Sequence, residues 1–277
     1  MSTQNALLTI LVEKINNDTL VLPTLPAIAL KVRKAADDPN INLNSMAEVV
    51  GQDPSLSARM VKIANSAYLG RAIKVASTSQ AVTRIGLSQV KNIATALAME
   101  QLFVSKNEIV KAYMDKKWVK MIDVVAHAMA AMTHFQKTTK DNSLSVDTMT
   151  LSALVADIGA LPVLTEAERH DSVFANPTFL DVAIDKLSGR IGGSIMRKWK
   201  FNEIFIEVAE HWRELDYTSS SVGYIDFIRV GAALSGNIDE KDEVLASAQK
   251  RGLFKDVQEY HSDEFVALTD AAKGIFA

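Results

Sequence analysis

Apolar residues recur along most of this chain at spacings of three and four, and β-branched alternation nowhere persists for a full strand. Residues 6–16 predict an apolar helix, after which Pro23 and Pro26 break the chain and bias the residues before them towards extended geometry. The next helix spans 27–36, with Ile28, Val32 and Ala35 on one side, and ends at Asp37-Asp38-Pro39-Asn40. Asn42 or Asn44 can cap a short helix to about Val50. Asp53-Pro54 is a cap followed by a first-turn proline, and Leu56, Met60, Ile63, Ala64 and Ala67 then form one buried stripe. Ser77 to Gln80 fits a capping box for a helix closed by Gly86. Ser88 is expected to cap a helix running to about Val104, and a long helix is expected from Glu108 to Phe135. Residues 137–145 are polar and loop-like, with Asp147 as the next cap. Past Pro162 the chain is interrupted at 169–171 and restarts at Asn176-Pro177. Helices are expected at about 178–187, 189–199, 203–214, 224–235, 241–250 and 263–275. The pattern predicts an all-α protein without a solenoid period.

The most apolar run, Leu151 to Leu164, carries one acid in its middle, Asp157. Burying a carboxylate is expensive unless a cation, a metal or hydrogen-bond donors meet it. Helix N-terminal amides, Arg190 and Lys120 are the partners considered for it.

Composition narrows the field. Hydrophobic residues make up 48% of the 277 and charged residues 23%, as in globular proteins. A net charge of −3 favours neither nucleic acid nor an anionic membrane, and neither is expected as a partner. The absence of cysteine excludes disulfides, thiolate zinc sites and a cysteine nucleophile. The first residues lack the pattern of a signal peptide, and no uninterrupted apolar run reaches membrane-spanning length.

Several motifs occur in a telling order: Leu22-Pro-Thr-Leu-Pro26, Gln52 to Arg59, Ile63-Ala-Asn-Ser-Ala67, Ile85-Gly86-Leu87, Ala156-Asp-Ile-Gly159, Trp199 and His211-Trp212. Together they resemble the HDOD family, the HD-related output domains of bacterial signalling proteins, over roughly residues 20 to 215. The resemblance implies a multi-helix, HD-like orthogonal bundle with an N-terminal helical lobe. The expected segments are 1–105 (N-terminal lobe), 106–235 (HD-like lobe) and 236–277 (C-terminal extension). It further implies a cytoplasmic regulatory module that binds a signalling protein, with a small ligand or nucleotide as a further binding partner and no cofactor.

HD phosphohydrolases hold metal with a histidine, an adjacent His-Asp pair and a later aspartate, so that a bound water is activated beside a phosphate. The His-Asp position here reads Ala156-Asp157, the region beyond Trp118 offers no histidine, and the segment around Ser188 and Arg190 offers no carboxylate. One carboxylate does not make such a site. The expectation is therefore a protein without catalytic residues, with residual phosphohydrolase activity and nucleotide sensing as alternatives. Asp157, Lys120, Ser188, Arg190 and His211 are the candidates for a remnant ligand pocket. His211 has Glu207 at the preceding helical turn, which predicts an ion pair. Asp123, His127 and His134 lie nearly on one helix face and are the alternative metal ligands. Asp53, Arg59 and Asn65 are interaction candidates, weighed against roles in capping and inter-helix bonding. Glycines 189, 192 and 193 match no phosphate loop and read as close helix packing.

Overall fold

Helix starts in this protein are set by side chains that satisfy otherwise unpaired amides. Asp53 Oδ1 accepts from the Leu56 amide at 2.9 Å, and Asn42 Oδ1 accepts from that of Ser45 at 3.0 Å. Ser77 and Gln80 close a reciprocal capping box. Gly86, at φ 88°, both ends one helix and begins the next, so Ser88 is not the cap expected. Asp147 is likewise already inside its helix, and its carboxylate accepts from Asn92 at 2.8 Å.

The computed structural model describes residues 3–69, 72–169 and 177–276, and every regular element among them is helical. The first helices are α1 (Thr3–Asn16), α2 (Ala27–Ala36), α3 (Leu43–Gly51), α4 (Pro54–Ala64), α5 (Thr78–Ile85) and α6 (Leu87–Ala98). A long α7 (Glu108–Thr139) is followed by α8 (Val146–Val155), α9 (Ala160–Arg169) and α10 (Pro177–Lys198). The last are α11 (Glu203–His211), α12 (Tyr224–Leu234), α13 (Lys241–Lys250) and α14 (Asp263–Phe276). Short 3₁₀ turns occupy Met99–Leu102 and Val257–His261.

Two boundaries differ from expectation for identifiable reasons. Helix α7 runs past Phe135 to Thr139, with the Lys140 amide still bonding the Gln136 carbonyl at 3.0 Å, and it stops where Lys140 turns left-handed at φ 64°. The two helices expected at 178–187 and 189–199 are one, α10, with Gly189, Gly192 and Gly193 inside it. A Cβ on Gly189 would sit 2.6 Å from the Glu210 carbonyl oxygen, and one on Gly192 would sit 3.2 Å from Ala209 Cβ. These glycines thus serve close packing on α11, which outweighs their poor helix propensity. The expected break at 170–171 and the cap at 176 lie outside the described residues.

The chain compacts as two units that interleave along the sequence. One comprises Met1–Thr24, Glu100–Met121 and Leu154–Thr218. There α10 packs on α9, α11 and α1, around buried Leu161, Leu164, Ile184, Ile191, Ile195 and Phe205. Trp199 donates from its indole to the Pro23 carbonyl at 3.0 Å, which joins two of the sequence motifs. The other unit comprises Leu25–Met99, Ile122–Ala153 and Ser219–Ala277. In it α2 packs on α3 and α6, α4 on α5 and α14, and α12 on α13. The Val146–Arg169 stretch is apolar and long enough to cross a membrane, but 83% of its most apolar window is buried within the protein. Its hydrophobicity is that of core.

Candidate functional site

The apolar run around Asp157 is not one helix. Helix α8 ends at Val155, residues 156–159 turn, and α9 begins at Ala160 with Pro162 in its first turn. Asp157 therefore sits at a bend, where its carboxylate can meet side chains from elsewhere in its unit. Arg213, just beyond α11, approaches it with two nitrogens: Nη2 lies 3.1 Å from Oδ2 and Nε 3.3 Å from Oδ1. Lys117 of α7 lies 3.5 Å from Oδ2. The forked contact matches guanidinium to carboxylate geometry, and only 17% of the Asp157 side chain is exposed. Burial opposes ionisation more than any other single influence. Arg213 and then Lys117 nevertheless hold the carboxyl below its usual range. The Arg213 guanidinium also lies 4.3 Å from the Trp212 ring centre and 3.7 Å from Asp185.

Neither cation expected at Asp157 is there. Arg190 instead donates to Asn16 Oδ1 at 2.9 Å on the surface. Lys120 is exposed and lines a groove described below. The sequence offered a signal for Arg213, which directly follows the His211-Trp212 motif, but the neighbouring histidine drew the chemical reading. At His211 the acid in contact is Glu214. The histidine ring stacks on Tyr217 at 4.2 Å and 7°, with Nδ1 2.6 Å from Glu214, while Glu207 accepts from the Tyr217 hydroxyl at 2.7 Å. Helix α11 ends at His211, and the turn that follows brings Glu214 and Tyr217 back over the ring. Ser188 is buried, its hydroxyl meets no hydrogen-bond partner among the described residues, and its backbone carbonyl faces Gly159.

A groove of about 520 Å³ lies along the first half of α7. Ile109, Ala112, Tyr113, Lys116, Lys117 and Lys120 line it from the helix. Two acids, Glu108 and Asp181, complete the lining, and Asp181 accepts the phenol of Tyr113. Burial and then Asp181 push that phenol's ionisation up, so Tyr113 is a neutral donor at neutral pH. Lys117 belongs both to this groove and to the Asp157 cluster.

The described residues around Asp157 do not fit a catalytic metal. Among the described residues, no group of three or more histidine and carboxylate side chains converges. Asp157 has cations as partners, and its neighbour is Ala156. The helical trio considered for a metal is spoken for separately. Asp123 pairs with Lys273 at 2.7 Å, His127 Nδ1 lies 2.8 Å from the Asp123 carbonyl oxygen, and His134 Nε2 lies 2.6 Å from Glu259. Burial lowers the pKa of His127.

The interaction candidates hold structural positions. Asp53 caps α4, and Arg59 donates to the Leu97 carbonyl at 3.3 Å. Asn65 clasps the chain segment returning at Val75: its amide donates to the Val75 carbonyl at 2.8 Å and its carbonyl accepts from the Val75 amide at 2.9 Å. Arg84 adds a bond to the same oxygen at 3.3 Å. Asn65→Ala strands these groups and should cost about 1–2 kcal/mol of stability in urea denaturation. An unchanged midpoint would contradict the clasp.

The chain matches the model of the HDOD domain over residues 22–215. It is 40% identical to a crystallised protein of Shewanella amazonensis SB2B whose name provisionally makes it a metal-dependent phosphohydrolase, with a TM-score of 0.95 and both chains fully covered. An HDOD domain protein of unknown function from Geobacter sulfurreducens is 17% identical over 99% of this chain and 98% of its own, with a TM-score of 0.60. A signal transduction protein, provisionally so named, from Marinobacter aquaeolei VT8 is 20% identical over 99% of this chain and 66% of its own, with a TM-score of 0.59. An uncharacterised protein of Treponema pallidum (strain Nichols) is 23% identical over 71% of this chain, and the match spans only 38% of that protein's length. The family match covers most of the chain and agrees with the helical architecture, so this chain belongs to the HDOD family.

Proposed function

We propose that this chain is a regulatory module of the cytoplasm that works by binding, with a signalling protein as its partner, and that it does not hydrolyse phosphate esters. The observation that carries this reading is the forked Arg213 contact on Asp157, backed by Lys117. An HD-type reaction needs that carboxylate to face a metal with an open position. Here it faces a guanidinium, which cannot lose its proton and cannot activate water. The Shewanella protein's name favours turnover, and the Marinobacter protein's name favours signalling. Asp157 in this chain supports the second.

An activity comparison tests the reading. Purified protein is assayed against bis-p-nitrophenyl phosphate and p-nitrophenyl phosphate with manganese, iron(II), magnesium or zinc, beside its Asp157→Ala variant. The expected outcome is one indistinguishable background for both proteins. Metal-dependent turnover that disappears in Asp157→Ala would overturn the reading.

A further inference from the structure

The first half of α7 carries a stripe that the Asp157 pairing does not use up. Ile109, Ala112, Tyr113, Lys116 and Lys120 follow one another at helical spacing and so share one face. Such a stripe ordinarily enters a core, but Ile109 is 53% exposed, and Ala112, Lys116 and Lys120 are exposed as well. The groove they line, at about 520 Å³, has the size of sites that take small molecules. Its wall is divided along the helix, with Ile109 and Ala112 at the start and the three lysines further on. Three ammonium groups face two carboxylates, and one of those, Asp181, already accepts the Tyr113 phenol. The lining therefore sets three ammonium groups beside an apolar surface.

We propose that this groove binds an amphipathic organic monoanion. Its apolar body lies against Ile109 and Ala112, and its acidic head sits among Lys116, Lys117 and Lys120. Ammonium groups act as point charges with several rotatable donors, which suits a sulfonate or carboxylate head without demanding one geometry. Lys117 makes the site more than a passive groove, because it also contacts Asp157 at 3.5 Å. An anion in the groove competes with Asp157 for Lys117, so occupancy is coupled to the Asp157–Arg213 pair. This deepens the binding reading above by naming a ligand class, and it rests on that reading only for the role that such binding would serve.

The probe is 1-anilinonaphthalene-8-sulfonate, followed by fluorescence on the full chain, with neutral N-phenyl-1-naphthylamine as its uncharged counterpart. Far-UV circular dichroism checks that each variant is folded. Exchanging two partly exposed charges, as in Lys116→Gln with Lys120→Gln, should weaken sulfonate binding about threefold or more and leave the neutral probe unaffected. Ala112→Trp, which fills the groove, should abolish binding of the sulfonate. Asp157→Asn releases Lys117 and should tighten it about twofold. Sulfonate affinity unchanged in both the lysine and the tryptophan variants places the probe elsewhere and overturns the site. An unchanged affinity in Asp157→Asn overturns the coupling. Phosphoesterase activity alongside intact groove binding would sink the regulatory reading alone, so the two failures are distinguishable.

Discussion

Gly159→Ala is expected to be the most damaging single-methyl change in this unit, costing about 3 kcal/mol or more. A Cβ at this position would lie 1.9 Å from the Ser188 carbonyl oxygen and 2.7 Å from the Gly192 amide nitrogen. Both are backbone atoms of α10, so no side chain can rotate to make room. The turn would have to separate from α10, taking α9 with it and losing buried contacts of Leu161 and Leu164. Gly193 makes an internal control. The three atoms nearest its added Cβ all belong to the Glu210 side chain, Oε1 at 2.1 Å, Cγ at 2.4 Å and Cδ at 2.5 Å, and that carboxylate pairs with the exposed Arg197. Gly193→Ala should therefore cost clearly less, because the helix gains about 1 kcal/mol of propensity and a side chain, not backbone, has to move, at the expense of the Arg197 pair. Guanidinium denaturation of both variants checks the contrast. Equal losses from the two would contradict a rigid contact at Gly159.

Arg213→Ala should be the next largest loss, at about 2–3 kcal/mol. It leaves a mostly buried carboxylate with Lys117 alone, and the penalty comes from the stranded charge more than from the missing contact. Asp157→Asn in the same chain removes that charge, so the double variant should regain part of the loss. The pH dependence carries a definite sign. The folded carboxyl sits below its usual range, so the pair's contribution is fully present above the unfolded value of about 3.9 and disappears as pH falls through the lower folded value. Wild type and Arg213→Ala should thus differ most near neutrality and converge in acid. Thermal unfolding of both between neutral pH and about pH 3 measures the gap; a constant gap would mean that Arg213 acts by packing alone.

Much of the fold could be read in advance because its signals are local. Asp53-Pro54, Asn42 and the Ser77–Gln80 box each specify a helix start within four residues, and each does so in the structure. The bounds of α2 and α13 follow from periodicity in the same way. Where expectation and structure part, the deciding contact is distant in sequence. Residues 178–199 read as two helices with a break near Ser188 until the close approach of Gly189 to Glu210 is known. Asp147 reads as a cap until Asn92 meets it.

The site divides along the same line. The lone acid at 157, with alanine in place of the histidine, was legible from neighbouring residues. Its partners were not. Lys117 and Arg213 lie 40 and 56 residues away, and no periodicity ranks them above Lys120 or Arg190. The groove was hidden for a related reason. Lys116 and Lys120 look like an ordinary solvated face until Asp181 closes the opposite side.

The central claim is that protein cations stand where an HD site would hold metal. Elemental analysis of the purified chain, after exposure to manganese, iron(II) or zinc and gel filtration, tests it most directly. The account predicts well under one equivalent of any metal, with no difference between wild type and Asp157→Ala. About one equivalent retained by wild type and lost in Asp157→Ala would contradict it.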